Sequence, residues 1–332
     1  MWRILLVVGL AIMTVAGFEQ PADAHGVSGA EATNYEVEID SMTPDVEGVE
    51  IRVVELGSAF EVRNTTDEEL VVLGYLGEPY LRVGPEGVLE NRASPSWVAN
   101  QSPDETIPED STETVAQVWV RVGSGDAVRW HDHRAHWMGS EPTEGSEPTL
   151  RTFEVDMRHA GRPIAVEGRV VWTPGPTPWV WVIVALMLAV VVVALSRTPV
   201  WTWVLGAGLV LLIGTETAHV VGVWGATSGA LSTKLAASVY SLAAIGIAVG
   251  AVAWLATARD PYDATPLVLV GGLFLAVAGG FADLTTLTHS QLPTTLSPGL
   301  ARAAVAVALG LGTGITVAAA LRIRRPAPTR SA

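Results

Sequence analysis

The sequence contains no cysteine among its 332 residues. This absence excludes disulfide bonds, thiolate zinc sites, iron–sulfur clusters and cysteine nucleophiles. Any metal ligand in the chain must therefore be a histidine, a carboxylate or an amine. Histidine is itself scarce, with seven residues in the whole chain. The position of each histidine is for that reason informative.

Charge is sparse in the second half of the chain. Residues 179–332 carry 4 acidic and 8 basic residues, a net charge of +4, whereas residues 25–178 carry 28 acidic and 11 basic residues, a net charge of −17. So acidic a segment would repel phosphate backbones, and we exclude nucleic acid as a partner. The contrast predicts an acidic soluble domain followed by a membrane domain.

The N-terminus has the pattern of a signal peptide. An apolar run over residues 4–17 precedes the tripeptide Ala-Asp-Ala at 22–24, which has the small-x-small pattern of a signal-peptidase site. We expect residues 1–24 to be removed, so that His25 becomes the mature N-terminus. The alternative is an uncleaved anchor.

Residues 25–173 alternate between apolar and polar residues with the period of two that is typical of β-strands. We predict seven or eight antiparallel strands in an all-β cupredoxin-like or immunoglobulin-like sandwich, with a polar loop over Ala93–Thr114. The predicted strands include residues 35–39, 50–54, 59–63, 70–73, 114–122, 152–157 and 164–172. This domain would be extracytoplasmic, since it follows the signal peptide.

Five later segments are apolar and close to the length of about 20 residues that a membrane-spanning helix needs. They lie near residues 179–196, 199–218, 235–258, 264–284 and 302–321. A proline-rich linker at 174–178 leads into this five-helix transmembrane domain at 179–322, and a tail follows at 323–332. Arginines at 197, at 259 and in the tail mark the cytoplasmic ends. We therefore expect a multi-pass plasma-membrane protein with a cytoplasmic C-terminus.

Three histidines lie close together in the segment Trp130–Trp137, which reads WHDHRAHW. Residues two apart on a strand share a face, so His131 and His133 can present both imidazoles to one point while Asp132 points away. His136 would follow at the strand end or in the turn, where it is a weaker candidate for a metal ligand or an outer-shell residue. The alternative is that these histidines are ordinary core or surface residues.

A mature His25 would add its amine and its imidazole to this pair. Such a set of nitrogen ligands suits copper, while zinc and nickel are rival metals because imidazole binds them as well. We therefore predict a copper cofactor with His25, His131 and His133 as candidate ligands, and His136 as a further candidate.

These motifs resemble a known copper site. A terminus beginning His25-Gly26, together with Trp-His-Asp-His at 130–133, is similar to the histidine brace in the cupredoxin-like region of the B subunit of particulate methane and ammonia monooxygenases. The resemblance implies His25, His131 and His133 as copper ligands. That subunit differs in having a second soluble domain and fewer membrane crossings.

The architecture also resembles that of CopC-CopD-type copper proteins. CopC-type proteins begin with a mature histidine, and some are fused to a CopD-type membrane domain, to which the segment Thr227–Leu235 is similar. The chain departs from the CopC pattern of an aspartate two residues before a histidine, since Asp132 is adjacent to both His131 and His133.

Four polar residues interrupt the apolar segments and are further candidates: Glu216, His219, Asp283 and His289. Ionisable residues at membrane depth are costly and often functional. Glu216 and His219 are three residues apart and share a helix face. We predict a polar site that exchanges copper or protons, on the side of the soluble domain. The alternative is that all four are hydrated interfacial residues.

The sequence favours a membrane-anchored extracytoplasmic copper-binding protein for copper acquisition, tolerance or delivery. Its expected partners are the copper ion, the lipid bilayer, and membrane subunits or a copper chaperone. We expect no enzymatic activity, but a copper-dependent oxidase or monooxygenase is an alternative that requires a reductant and an open coordination position. Another alternative is a membrane electron-transfer protein with His219 and His289 as haem ligands.

Overall fold

A computed structural model describes residues 32–100, 116–137, 139–142, 148–227 and 231–323. The signal peptide, His25 and the tail from residue 324 lie outside these ranges. The chain divides into a compact unit of Thr33–Pro174 and a helical unit from Gly175 onward.

The first unit is an antiparallel β-sandwich. Its strands are β1 Tyr35–Thr43, β2 Val49–Val54, β3 Ala59–Asn64, β4 Leu70–Leu73, β5 Pro79–Gly84, β6 Gly87–Asn91, β7 Trp119–Gly123, β8 Ala127–His131, β9 Thr149–His159 and β10 Arg162–Trp172. One sheet has the order β1-β10-β9-β4-β5-β6-β7 and the other the order β2-β3-β8. Every pairing between described neighbouring strands is antiparallel.

The core of the sandwich follows the predicted alternation. On β9, Phe153, Val155 and Met157 are buried, while Glu154 and Asp156 between them are exposed. Successive side chains of a strand point to opposite faces, so one face of β9 packs on the core and the other meets solvent. The same alternation recurs on β10.

Two strands and one short helix of this unit were not predicted from the sequence. The strands β5 and β6 form a tight pair closed by Gly84 and Gly87. They were not predicted because glycine and proline interrupt the alternation of apolar and polar residues there. Helix α1, Pro95–Ala99, lies where a polar loop was expected. It forms because Pro95 occupies its first turn and the Ser94 side chain caps it by accepting a hydrogen bond from Ser96 N. Residues 101–115 of that predicted loop lie outside the described ranges.

The second unit is helical. Its helices are α2 Trp179–Leu195, α3 Trp201–Ala226, α4 Leu231–Ala237, α5 Val239–Thr257, α6 Thr265–Ala276 and α7 Pro298–Ile323. A π-helical turn, Val277–Phe281, continues α6. Small residues let these helices approach closely, since a Cβ atom at Gly312 on α7 would lie 2.7 Å from the Cβ of Ala276 on α6.

Four described segments are long and apolar enough to cross a membrane: Trp201–Ala226, Val239–Thr257, Pro261–Phe281 and Pro298–Ile323. The helical unit is therefore a membrane-embedded domain. Helix α2 is also apolar, but it is shorter, at 17 residues. The fifth crossing thus stays a prediction.

Candidate metal centre and a second polar cluster

The histidine segment forms a tight turn after β8. The strand ends at His131, which pairs with Ala59 of β3. His133 therefore lies in the turn rather than on the strand, unlike the placement expected from the sequence. The turn closes because the Asp132 carbonyl accepts hydrogen bonds from Ala135 N at 3.1 Å and His136 N at 3.2 Å. The pairing of β8 with β3 thus ends at His131.

The turn is fixed from inside by the Asp132 side chain, which is 0% exposed. Its carboxylate accepts hydrogen bonds from Trp130 Nε1 at 2.9 Å, from Arg134 N at 2.9 Å and from Arg134 Nη2 at 2.8 Å. Burial raises the pKa of Asp132, but the charge and hydrogen bonds of Arg134, together with that of Trp130, lower it more and hold the group ionised. This network sets the direction in which the flanking histidines leave the backbone.

Arg151 on β9 fixes the same turn from outside. Its Nη2 donates to the carbonyls of His133 at 2.7 Å, Arg134 at 2.7 Å and His136 at 2.8 Å. One guanidinium nitrogen thus holds three backbone carbonyls in a short arc. Nothing in the sequence pattern identifies this contact, since β9 meets the turn only in the folded sandwich.

The turn brings the rings of His131 and His133 together, with their centroids 4.9 Å apart and their planes at 85°. His133 is 2% exposed, and its Nε2 donates to the Ala99 carbonyl at 2.9 Å. Its Nδ1 is buried and has no hydrogen-bond partner in the described ranges. In the neutral imidazole, which carries a single N–H, Nδ1 would be the nitrogen without the proton.

His131 shows the complementary arrangement. Among the described residues, its buried Nε2 has no hydrogen-bond partner. The Ser58 backbone lies beside the ring and favours its protonated form. Burial and the nearby His133 ring lower the pKa of His131, against the opposing effect of the Ser58 backbone. His131 is therefore favoured as a neutral imidazole with a free acceptor nitrogen.

A strained turn places Ser58 beside this ring. Glu55, Leu56 and Gly57 have positive φ angles of 54°, 56° and 96°. A Cβ atom at Gly57 would lie 2.5 Å from Val37 Cγ2, so only glycine fits there. Left-handed conformations at non-glycine residues are costly and often occur near functional sites.

His136 lies beside the pair but has a partner of its own. Its ring centroid is 5.4 Å from that of His131, and its Nδ1 is 3.1 Å from the Tyr35 hydroxyl. Burial lowers the pKa of His136 to about 4, with further contributions from His131, His133 and Arg151. His136 is therefore neutral near pH 7 and flanks the His131–His133 pair.

A tyrosine that the sequence analysis missed supports the other side of the site. The Tyr75 hydroxyl donates to Asn100 Oδ1 and accepts a hydrogen bond from His133 N at 2.9 Å. Burial is the main cause that raises the pKa of Tyr75 above its ordinary range. Tyr75 thus remains a neutral donor that links the histidine turn to the end of α1.

The buried, unpartnered imidazole nitrogens of this turn are Nε2 of His131 and Nδ1 of His133. No group of three or more histidine, aspartate or glutamate side chains suited to a metal ion occurs in the parts of the chain that the structure describes. A further ligand would therefore come from elsewhere. The predicted third ligand, His25, lies outside the described residues.

The helical unit contains a second polar cluster. His219 Nε2 on α3 lies 3.3 Å from Asp283 Oδ2, just beyond the π-helical turn. Glu216, one helical turn before His219, is buried, and Ser241 of α5 lies near its carboxyl group. His289 belongs to a local turn, because its Nδ1 lies 2.9 Å from the Thr285 carbonyl oxygen.

Comparisons with known proteins identify no relative for either unit. No family model matches the chain, and no curated protein or solved structure matches it.

Proposed function

We propose that this protein is a membrane-embedded copper-binding protein whose β-sandwich holds the ion through His131 and His133. One observation carries the proposal: the two rings lie side by side, and each has a buried nitrogen without a hydrogen-bond partner among the residues that the structure describes. Buried polar atoms are normally paired, and leaving one unpaired costs about 1–3 kcal/mol. A bound metal ion would satisfy both nitrogens at once.

The other nitrogen of each ring supports the same function. Metal-binding histidines usually donate their second N–H to a carbonyl, a carboxylate or water, which fixes the tautomer and the ring orientation. His133 Nε2 has the Ala99 carbonyl in this role, and the Ser58 backbone lies beside the His131 ring. The His133 imidazole is thus held in place before any metal arrives.

Copper suits the ligand set expected for the mature protein. Removal of residues 1–24 would supply the amine and imidazole of His25 as further nitrogens. In this proposal the fold is cupredoxin-like and extracytoplasmic, and five crossings place the C-terminus in the cytoplasm. Zinc and nickel are the competing metals, because imidazole binds them too.

Copper acquisition, tolerance or delivery is the role that this arrangement serves. Two adjacent imidazoles can take up an ion from a copper chaperone or pass it to membrane subunits. Bound copper would supply Lewis acidity or redox chemistry. The residues of the turn orient the copper ligands and shield them from water.

The test is a copper titration of purified full-length protein against a competing chelator. The variants are His131→Ala and His133→Ala, and the matched control is His159→Ala. His159 lies at the end of β9, where its Nε2 is hydrogen-bonded to Thr66 Oγ1 at 2.8 Å. We expect each of the first two to lower copper affinity at least as much as loss of an outer-shell partner, which is about 10–100-fold. Affinity equal to wild type in either variant contradicts the assignment.

The contribution of His25 is tested separately. Intact-mass analysis of the purified protein should give a chain that starts at His25. One alanine inserted between Ala24 and His25 should weaken copper binding, because the terminal amine becomes an amide. If processing occurs elsewhere, the third ligand must be another group.

A further inference from the structure

The membrane-embedded unit holds a carboxylate that the copper proposal does not use. Glu216 lies on α3 and is 3% exposed. Its Oε1 is buried without a hydrogen-bond partner, and no ion pair to it occurs among the described residues. An ionised carboxylate in such a place is among the most costly groups in a membrane protein. The side chain therefore needs a cation.

The neighbouring helices are shaped around this side chain. A Cβ atom at Gly279 would lie 1.9 Å from Glu216 Oε2, so glycine makes the space that the carboxylate occupies. Gly279 belongs to the π-helical turn Val277–Phe281. Turns of this kind are rare and are frequent at functional sites. On the α5 side, the Ser241 side chain lies near the Glu216 carboxyl group.

A titratable pair lies one helical turn further along α3. His219 Nε2 is 3.3 Å from Asp283 Oδ2, and both side chains are mostly buried. The spacing of three residues places His219 on the same face as Glu216. A proton released by Glu216 therefore has an imidazole acceptor that a carboxylate already stabilises.

Other charged and titratable groups lie on the surrounding helices. Arg302 on α7 donates to the carbonyls of Thr286 at 3.2 Å and His289 at 2.8 Å. On α5, Tyr240 is 51% exposed. None of these groups forms an ion pair with Glu216 in the described part of the chain.

A proton fits this place better than a metal ion. Glu216, His219 and Asp283 do not form a group suited to a metal within the residues that the structure describes. A proton requires no such convergence of ligands. A proton neutralises the Glu216 carboxylate without any change in the position of the side chain.

We propose that Glu216 is a proton-binding site inside the membrane domain and exchanges its proton with the His219–Asp283 pair. In the exchange the O–H bond of the carboxylic acid breaks and an N–H bond forms on the imidazole. The products are a Glu216 carboxylate and an imidazolium next to Asp283. The reverse step restores the neutral acid.

Infrared difference spectroscopy of full-length protein in lipid nanodiscs tests this proposal during a pH titration. Wild type should show the C=O band of a protonated carboxyl at neutral pH, and the band should disappear as the pH is raised. Glu216→Gln should lack the band. The control Asp260→Asn should keep it, since Asp260 lies outside the proposed exchange and caps a short helical turn by accepting from Tyr262 N. A band that persists in Glu216→Gln, or no band in wild type, overturns the proposal.

Two further measurements keep the proposal falsifiable if Glu216→Gln does not fold. Glu216→Asp should shift the band rather than remove it. His219→Gln should move its disappearance to higher pH, because an imidazolium one turn away favours the carboxylate. The exchange is contradicted if the band of Glu216→Asp is not shifted, or if the band of His219→Gln disappears at the same pH as in wild type. Loss of the wild-type band on addition of Cu²⁺, Zn²⁺ or Na⁺ at constant pH would identify a metal site instead.

Discussion

Nε2 of His131 and Nδ1 of His133 are both buried, and neither has a hydrogen-bond partner within the described parts of the chain, in rings whose centroids lie 4.9 Å apart. The opposite nitrogen of His133 donates to the Ala99 carbonyl, and the Ser58 backbone lies beside the His131 ring. A core that needed these histidines only for packing would pair all four nitrogens or expose them. These two nitrogens are the reason why we propose a bound ligand at this turn.

Replacing Arg151 with alanine should weaken copper binding without removing a ligand. The guanidinium holds the carbonyls of His133, Arg134 and His136, so its loss frees the turn. By analogy with outer-shell partners of other metal sites, we expect affinity to fall by about 10–100-fold. Arg158→Ala is the matched control, because that side chain is exposed on the same strand. Equal copper affinity in the two variants would show that copper binding does not need the hydrogen bonds of Arg151 to the turn.

Asp132→Asn should destabilise the β-sandwich. The carboxylate is fully buried and paired with Arg134, so its neutralisation leaves the guanidinium without its counter-charge. Loss of one partner of such a pair typically costs about 3–5 kcal/mol.

Hydrogen exchange of peptides from residues 33–174 across a urea series measures this effect apart from the helices. Asp156→Asn, exposed on β9, is the control and should change little. A wild-type unfolding midpoint for Asp132→Asn would mean that the network does not stabilise the turn.

The stability of the sandwich should decrease in acid partly through Glu61. Burial raises the pKa of this group, but hydrogen bonds and charges of Arg129 and Arg52 lower it below its ordinary value of 4.5. A carboxyl whose pKa is lower in the folded state contributes stability above its unfolded pKa. That contribution is lost as the pH falls through the folded value.

Urea unfolding of the sandwich between neutral pH and pH 3 should therefore show a smaller acid loss in Glu61→Gln than in wild type. Glu50→Gln, at an exposed position of β2, serves as the control and should follow wild type. Identical pH profiles for wild type and Glu61→Gln would exclude this contribution.

Gly279→Ala should destabilise the helical unit. The added methyl would lie 1.9 Å from Glu216 Oε2 and 3.4 Å from Ala308 Cβ. Overpacking of this kind typically costs about 1–3 kcal/mol. Gly246→Ala on α5 meets no atom within 4 Å and is the matched control. Unfolding by increasing detergent should separate the two variants, and equal midpoints would mean that the carboxylate moves aside freely.

Local patterning was enough to predict the antiparallel sandwich and the helical membrane region. The alternation on β9 and β10 is regular because each strand has one face on the core. The strands β5 and β6 were missed since each is short and bounded by glycine. Their pairing depends on the rest of the sheet, which local sequence does not report.

The histidine spacing predicted that His131 and His133 lie next to each other, but it did not predict the turn that brings them together. We expected His131 and His133 on one strand, whereas the strand ends at His131 and the turn brings His133 back. The groups that orient the rings are the backbone of Ser58, the carbonyl of Ala99 and the guanidinium of Arg151. Backbone atoms have no sequence signature, and these contacts exist only after the two sheets and α1 have packed.

Pulsed electron paramagnetic resonance of the Cu²⁺-loaded full-length protein tests the central claim most directly, because it detects the remote nitrogens of coordinated imidazoles. We predict that His131→Ala and His133→Ala each remove one coordinated imidazole, while His159→Ala removes none. An imidazole count unchanged from wild type in either His131→Ala or His133→Ala would contradict the account.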